Sequence, residues 1–348
     1  MSHRLPRNPV VAVVGATGAV GAEMLHCLNR RRFPAAHVRV FASEKSAGKV
    51  VPFGGGTLTV EALSERAFDG VDVALFASSS GISRQYVPVA RAAGALVIDN
   101  SSAFRMDADI PLVVPEVNGD LLAGDAGVVA NPNCVAALMV VALAPLEKLS
   151  PIQRIVASTY QAASGAGAAA MQELEDATRA YLDGNSYAPK VLPHPYAFNL
   201  FSHNADVNED SGYNGEEEKA SAEVRKIMGR PDLPIGMTCI RVPILRAHAV
   251  SASVTFADAV GVEQAREALR HAAGVRLVDD RGRNYFPMPH DASHEDDVLV
   301  GRLRVDQSDP SGRTLALFLS GDQLLKGAAL NAVQIAEAML PVEEPVAA

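Results

Sequence analysis

A chain of 348 residues is longer than one comfortable core needs and suits two domains, at roughly 100 to 200 residues per domain. Hydrophobic residues at 48% and charged residues at 20% fall in the ordinary globular range, which excludes a disordered chain. The formal charge of -9 leaves no positive excess to neutralise a phosphodiester backbone, which argues against a nucleic-acid function; an anionic ligand must find local cations instead.

The first predicted element is a strand over Val10 to Val14. It follows a short basic N-terminus but runs directly into a Gly-rich turn, so it is not a secretory h-region. Further β-rich runs at Val38 to Ala42, Val71 to Ala77, Ala95 to Asp99 and Val128 to Ala130 alternate with helical patterns, which predicts βαβ crossovers and a mostly parallel sheet. Between the first two strands Val20, Met24 and Leu28 repeat at helical spacing, with Arg30, Arg31 and Arg32 in the last turn, where cations suit the helix dipole.

Gly15-Ala-Thr-Gly18-Ala-Val-Gly21 lies between that strand and that helix. There glycines let the backbone approach a pyrophosphate at the positive helix end. The spacing is G-x-x-G-x-x-G rather than the commoner G-x-G-x-x-G, and a purely structural glycine turn is the alternative. After the second strand, Ser43, Lys45 and Ser46 suit the 2′-phosphate of NADP; Glu44 argues mildly the other way, and an ordinary polar turn remains the bland reading.

Asn131-Pro-Asn133-Cys134 precedes the apolar helical pattern Val135 to Leu143. A thiol at a helix start feels the positive end of the dipole, which favours the nucleophilic thiolate. A lone cysteine is more often a small buried hydrophobe, and Cys27 and Cys239, inside apolar patterns, are read that way. The three cysteines form no CxxC pair, so neither a metal site nor a disulfide framework is expected, and a reducing cytoplasm fits best.

Beyond Cys134 the predicted strands are Ile155 to Tyr160, Thr238 to Leu245, His248 to Phe256, Val298 to Val305 and Thr314 to Leu319. Those in the second half lack regular intervening helices, which predicts an α+β domain with a mixed or largely antiparallel sheet. Residues 181 to 215 are rich in Pro, Asn, Tyr and His with weak periodicity, the mark of a loop with a use such as a lid, an interface or a binding loop. His248 heads its strand, and its first reading is a satisfied core histidine; Arg241 stands seven residues upstream. Together with a helix-start cysteine they supply what acyl transfer needs: a nucleophile, a proton-transfer group and an anion binder. Leu325, Ala328, Ala332, Ala336 and Met339 share one face of a C-terminal helix. No run approaches the roughly 18 apolar residues of a membrane helix.

Seven motifs in order now give the chain a likeness over nearly its whole length: GATGAVG at 15–21, SSAFRM at 101–106, NPNC at 131–134, STYQAASGAG at 158–167, GEEEK at 215–219, RVPILRAH at 241–248 and KGAALNAVQIAE at 326–337. By these the sequence resembles the aspartate-semialdehyde dehydrogenase family. The resemblance implies Cys134 as nucleophile, His248 as general acid/base and Gln161 as a positioning side chain. It assigns Arg105 and Lys219 to the leaving phosphate, Arg241 to the substrate carboxylate, Glu216 to the substrate ammonium, and Asn133 to the substrate as well. Cofactor contacts map onto Gly15, Thr17, Gly18 and Val20, with Ser43 and Lys45 near the 2′-phosphate and Ser164 and Gly165 near the nicotinamide. Where many members have Asp-Asn before the last helix this chain has Asp322-Gln323, and the contact falls to Gln323. Without the resemblance, Arg105 and Lys219 read as surface charges, Glu216 to Glu218 as an exposed acidic helix start, and Gln161 as a polar strand end.

The implied fold is an α/β chain. Its N-terminal Rossmann-like NADP-binding domain comprises residues 1–133 completed by 329–348, and its α+β catalytic and dimerisation domain comprises residues 134–328. The implied partners are a small-molecule substrate and a second copy in a homodimer. Two enzymes with related chemistry fit less well. N-acetylglutamyl-phosphate reductases usually set the cysteine in His-Pro-Gly-Cys, and glyceraldehyde-3-phosphate-type dehydrogenases in Ser-Cys-Thr-Thr-Asn. A catalytically silent nucleotide-binding relative is the reading from another class, and the joint presence of Cys134, Gln161 and His248 argues against it.

Overall fold

The computed structural model describes residues 4–124 and 127–341. The chain divides into two compact units, Met1–Pro132 with Ala328–Ala348, and Asn133–Gly327, which puts Asn133 and Cys134 in the same unit.

In the first unit the strands are β1 (Val10–Val14), β2 (His37–Ala42), the hairpin β3 (Val50–Phe53) and β4 (Gly56–Thr59), the two-residue β5 (Glu61–Ala62), β6 (Val73–Phe76), β7 (Leu96–Asp99) and β8 (Val128–Ala130). Six of them form one parallel sheet in the order β5-β2-β1-β6-β7-β8. The central strands β1, β6, β7 and β8 are short apolar runs with little exposure on either face, the pattern of a sheet covered on both sides, while β3, β4 and β5 are largely exposed. Helix α1 (Ala19–Arg30) buries Met24, Leu25, Cys27 and Leu28, and α2 (Ser80–Ala92) buries Val87 and Ala90. A one-turn helix, α3 (Pro115–Asn118), precedes β8. The chain leaves β1 toward β2 on one side and returns to β6 on the other, so a topological switch point lies at the carboxyl end of β1, where open α/β sheets bind ligands.

The second unit opens with α4 (Cys134–Glu147), in which every residue from Val135 to Leu143 is buried; a helix apolar all round belongs in an interior. Then follow β9 (Ile152–Gln161), α5 (Ala168–Leu182), β10 (Phe201–Ser202), α6 (Gly215–Ile227), β11 (Ile235–Arg241), β12 (His248–Phe256), α7 (Val262–Arg270), β13 (Val275–Leu277), β14 (Val298–Val305) and β15 (Thr314–Gly321). The seven strands lie in the order β10-β11-β9-β12-β15-β14-β13 and are antiparallel except for the β9–β11 and β13–β14 pairs. Helix α4 packs on β9, β14 and β15 as well as on α6 and α7. The two faces of the sheet differ. Ile155, Ala157 and Thr159 are buried with Val250, Ala252 and Val254, whereas Val156, Ser158 and Tyr160 alternate with them toward the open side.

Three expectations need correction. A regular helix, α7, does intervene in the second half, with Ala265 and Leu269 buried. The strand expected over Thr238 to Leu245 starts earlier, at Ile235, and stops at Arg241. The C-terminal helix is not single-faced. It begins with a π-helical turn at Leu325–Ala329 and continues as an α-helix over Leu330–Ala338, with Leu330, Asn331, Ala332, Val333, Ile335 and Ala336 all buried.

Candidate active site

In the first unit the Gly15 turn is a backbone structure. Gly15 has φ +85°, and a Cβ there would sit 2.3 Å from the carbonyl oxygen of Ala77, just past β6. A Cβ on Gly21 would come equally close, 2.3 Å, to the oxygen of Gly15. The N–H of Gly18 donates to that same oxygen at 3.0 Å, and Gly18 caps α1 without any side-chain hydrogen bond. With Thr17 and Gly18 exposed and Val20 partly so, the start of α1 presents uncovered amides, the chemistry that holds a pyrophosphate. Ser43 and Lys45 stand exposed at the turn after β2. Arg105 belongs to this unit too: its Nε donates to the carbonyl of Asn131 at 2.9 Å and its Nη2 to that of Asn100 at 2.6 Å.

In the second unit sheet topology gathers the polar residues. Gln161 ends β9 and Arg241 ends β11, and the two are paired in register. His248 begins β12, which runs antiparallel to β9, so all three lie at one edge of adjacent strands. Cys134 is the first residue of α4. Asn133 caps that helix: its Oδ1 accepts from Val135 N at 2.9 Å and Ala136 N at 3.3 Å, and its own N–H donates to Glu223 Oε2 at 2.5 Å. A helix start can offer its amides to an oxyanion, but here the cap engages those of Val135 and Ala136.

One carboxylate oxygen ties the elements together. Glu216 Oε1 accepts from Asn133 Nδ2 and from Gln161 Nε2, each at 3.0 Å. Burial pushes the Glu216 carboxyl up, but these two amide donors and the Arg241 charge hold the group below its usual range. The neighbouring acids have structural duties instead of forming an exposed run. Glu217 is buried, completes a capping box with Asn214 and accepts from Cys239 N; Glu218 accepts from Asn208 and Ser211. Lys219 is exposed on the same helix.

His248 is fully buried. Its Nδ1 accepts from the N–H of Ala162 at 3.0 Å, and its Nε2 has no hydrogen-bond partner among the described residues. Burial lowers its pKa well below the usual imidazole value, and the charge of Arg241 adds to the shift. A neutral ring whose Nδ1 accepts carries its one proton on Nε2. The cluster therefore contains an unpaired N–H donor. Gly165 makes room for it, since a Cβ there would lie 2.9 Å from Nε2 and 3.1 Å from Nη1 of Arg241. Arg241, 3% exposed, donates from Nη1 to Ala162 O at 3.2 Å.

Ser164 and Gln323 are joined by a short hydrogen bond, and Gln323 Oε1 also accepts from Ala247 N at 3.0 Å, so both ends of that amide hold the protein's own groups. Sequence reasoning missed Glu223, His203 and Gly327, where a Cβ would come within 2.8 Å of Cβ of Cys134. Gly327 was visible only as part of the KGAALNAV motif. Among the described residues no group of three or more His, Cys, Asp or Glu side chains is placed to hold a metal ion, and no helix is long and apolar enough to cross a membrane.

A cysteine at a helix start, an unpaired buried N–H donor and a fixed guanidinium are the parts of an acyl-transfer site. Comparison with known proteins gives the same class. Residues 10–124 match the family described as semialdehyde dehydrogenase, NAD binding domain, and residues 143–326 the one described as semialdehyde dehydrogenase, dimerisation domain. The chain is 49% identical to the aspartate-semialdehyde dehydrogenase of Synechocystis sp. over 97% of its own length and 98% of that protein's. It is 48% identical to that of Prochlorococcus marinus, over 96% and 97%. Among solved structures, aspartate semialdehyde dehydrogenase II from Vibrio cholerae complexed with ASA superposes with a TM-score of 0.91 at 39% identity, covering 95% of this chain and 98% of that one. The chain belongs to the aspartate-semialdehyde dehydrogenase family.

Proposed function

We propose that this protein reduces L-aspartyl-4-phosphate to L-aspartate-4-semialdehyde with NADPH, through a thioester on Cys134, as a cytoplasmic homodimer serving lysine, threonine and methionine biosynthesis. The observation that carries the chemistry is the unpaired Nε2–H of fully buried His248, in the unit that places Cys134 at a helix start.

The fit to a dinucleotide rests on the glycine turn. The tight turn at Gly15 and a start of α1 that has no side-chain cap suit a pyrophosphate, with Thr17, Gly18 and Val20 around it and Ser43 and Lys45 available to a 2′-phosphate. Ser164, Gly165 and Gln323 are assigned to the nicotinamide end. When bound, NADPH supplies the hydride that reduces the thioester carbon.

The protein's own part runs as follows. Sγ of Cys134 attacks the acyl carbon, and phosphate departs with the electron pair of its C–O bond. Lys219 is assigned to that phosphate, and so is Arg105 on the strength of the family motif. The oxygen that becomes an oxyanion accepts from Nε2–H of His248, in place of the amides already engaged by Asn133. The proton shared there returns to the ring as the C–S bond breaks and the thiolate leaves. Arg241 takes the substrate carboxylate. Glu216, with Oε1 occupied by two amides, offers Oε2 to the substrate ammonium. Gln161 and Asn133 act through that carboxylate, keeping it in place.

The homodimer follows from the match of 143–326 to a dimerisation domain and from the sheet it contains. Helices pack on one face of that sheet. The other carries Val156, 43% exposed, beside Tyr160 and Phe318, whose rings lie 6.1 Å apart. A second copy suits that face, since apolar surface left open on a sheet favours burial.

The test is phosphate-dependent reduction of NADP with aspartate semialdehyde, run beside N-acetylglutamate semialdehyde. Turnover with the first alone is expected. Turnover with the second alone would transfer the chemistry to the other pathway, and silence with both would leave a nucleotide-binding relative.

A further inference from the structure

His203 lies in the weakly periodic segment between α5 and α6, one residue beyond β10. Its Nε2 is 2.7 Å from Nη2 of Arg241. A guanidinium has only donors, so at this distance the ring nitrogen must accept. Its Nδ1 faces a second donor, the N–H of Ala205 at 3.2 Å. A neutral imidazole can accept at one of these nitrogens and an imidazolium at neither, so the surroundings select the uncharged ring. The shorter contact, to the charged donor Arg241, is the one that a lone pair of the neutral ring serves first.

The remaining contacts of Arg241 complete a frame. Its Nε donates to Asn204 Oδ1 at 3.2 Å and its Nη1 to Ala162 O at 3.2 Å. Of the five guanidinium N–H groups, two have no acceptor among the described residues, one on each terminal nitrogen, and a carboxylate can take such a pair in bidentate fashion. All three partners are uncharged acceptors. A carboxylate in any of these places would hold the arginine as well but would cancel its charge before substrate arrived.

We propose that His203 is a positioning residue, a neutral acceptor that fixes the Arg241 guanidinium for the substrate carboxylate while leaving its positive charge intact. The inference rests on the assignment of that carboxylate to Arg241 made above. Burial and the Arg241 charge push the His203 imidazole down to about 4, with Lys219 adding to the effect and Glu216 opposing it, so the neutral ring persists throughout the range in which the enzyme would be assayed.

The experiment compares His203→Ala, His203→Gln and His203→Asp with the wild type, measuring kcat together with KM for aspartate semialdehyde, phosphate and NADP. In His203→Ala the KM for aspartate semialdehyde should rise roughly 10-fold, the order carried by a hydrogen bond to a charged group, with kcat and the other two KM values little changed. His203→Gln, an uncharged acceptor, should restore most of that loss, whereas His203→Asp should be worse than alanine because it neutralises Arg241. The proposal is overturned if aspartate serves as well as glutamine, or if kcat falls while the aldehyde KM stays put. It is also overturned if all three KM values move together, the behaviour of a general folding defect. A wild type that turns over normally beside unaffected variants sinks this inference alone; a wild type silent with aspartate semialdehyde removes the substrate assignment and this inference with it.

Discussion

The nucleotide turn of the first unit and the polar cluster of the second are built from different materials. The turn is made of backbone: Gly15 and Gly21 are places where a side chain would strike a carbonyl, and what it can offer a nucleotide is amides at the start of α1. The cluster is made of side chains brought to one strand edge by topology, each locked by hydrogen bonds to groups far away in sequence. A backbone site needs particular residues at fixed short spacing. A side-chain site needs a fold.

If the two sites are separate devices, each should fail without the other. Cys134→Ala should lower turnover at least about 10⁴-fold, in line with deletions of other catalytic nucleophiles, while NADPH affinity stays within about twofold. Fluorescence titration of bound NADPH measures the second quantity, and a large loss of affinity there would make Cys134 a structural residue. Gly15→Ala is the converse. A positive φ and a contact of 2.3 Å with Ala77 O should weaken NADPH binding on the order of 10-fold or more and lower the melting temperature. The rate at which iodoacetamide alkylates Cys134 should stay unchanged; a shift in that rate would show that the devices are coupled.

The smallest effect concerns the support of the second unit. Glu173 on α5 is buried and accepts from the backbone N–H of Lys190, Val191 and Leu192 at 2.5, 2.8 and 2.9 Å. Burial raises its pKa, but those three donors together outweigh it and hold the carboxyl below its usual value. A lowered folded pKa means that the stabilisation is complete above the unfolded value of about 4.3 and is lost as the pH falls through the folded one. Glu173→Gln should therefore cost about 1 to 3 kcal/mol at pH 7 and flatten the acid side of the stability profile, as read by urea unfolding at several pH values. A variant with the wild-type slope below pH 5 would mean that the carboxylate charge contributes nothing there.

The same contrast governs what could be read from sequence. The turn at Gly15, the helix after it and the strand at His248 announce themselves through glycine spacing and periodicity, because local sterics and side-chain alternation demand those patterns. Helix α7 was legible too, since Val262, Ala265 and Leu269 stand at helical spacing on one face. The C-terminal helix misled: burial on nearly every side leaves no stripe to identify an inward face. In the site, Cys134, Gln161, Arg241 and His248 were named from motifs, yet the reason they belong together, a shared edge of β9, β11 and β12, is a property of strand order. Glu223 reads as one more charge on a polar helix until its carboxylate meets the N–H of Asn133. His203 sits in a stretch without periodicity, and its partner lies on a strand reached only after a further helix.

The hydrogen bonds of the cluster also bear on how the protein acquires its activity. They close loops of 90 residues from Asn133 to Glu223, 55 from Gln161 to Glu216, 86 from Ala162 to His248 and 159 from Ser164 to Gln323. The contact from Gly18 back to Gly15 spans a single turn. Closure entropy grows with loop length and non-local pairings form slowly, so the glycine turn is available early on the folding route and the catalytic edge is among the last features to lock. On this ordering, a chain folding from denaturant would close its glycine turn, once β1 meets β2 and β6, before its catalytic edge, and be shaped to hold a nucleotide before it had chemistry to perform with it.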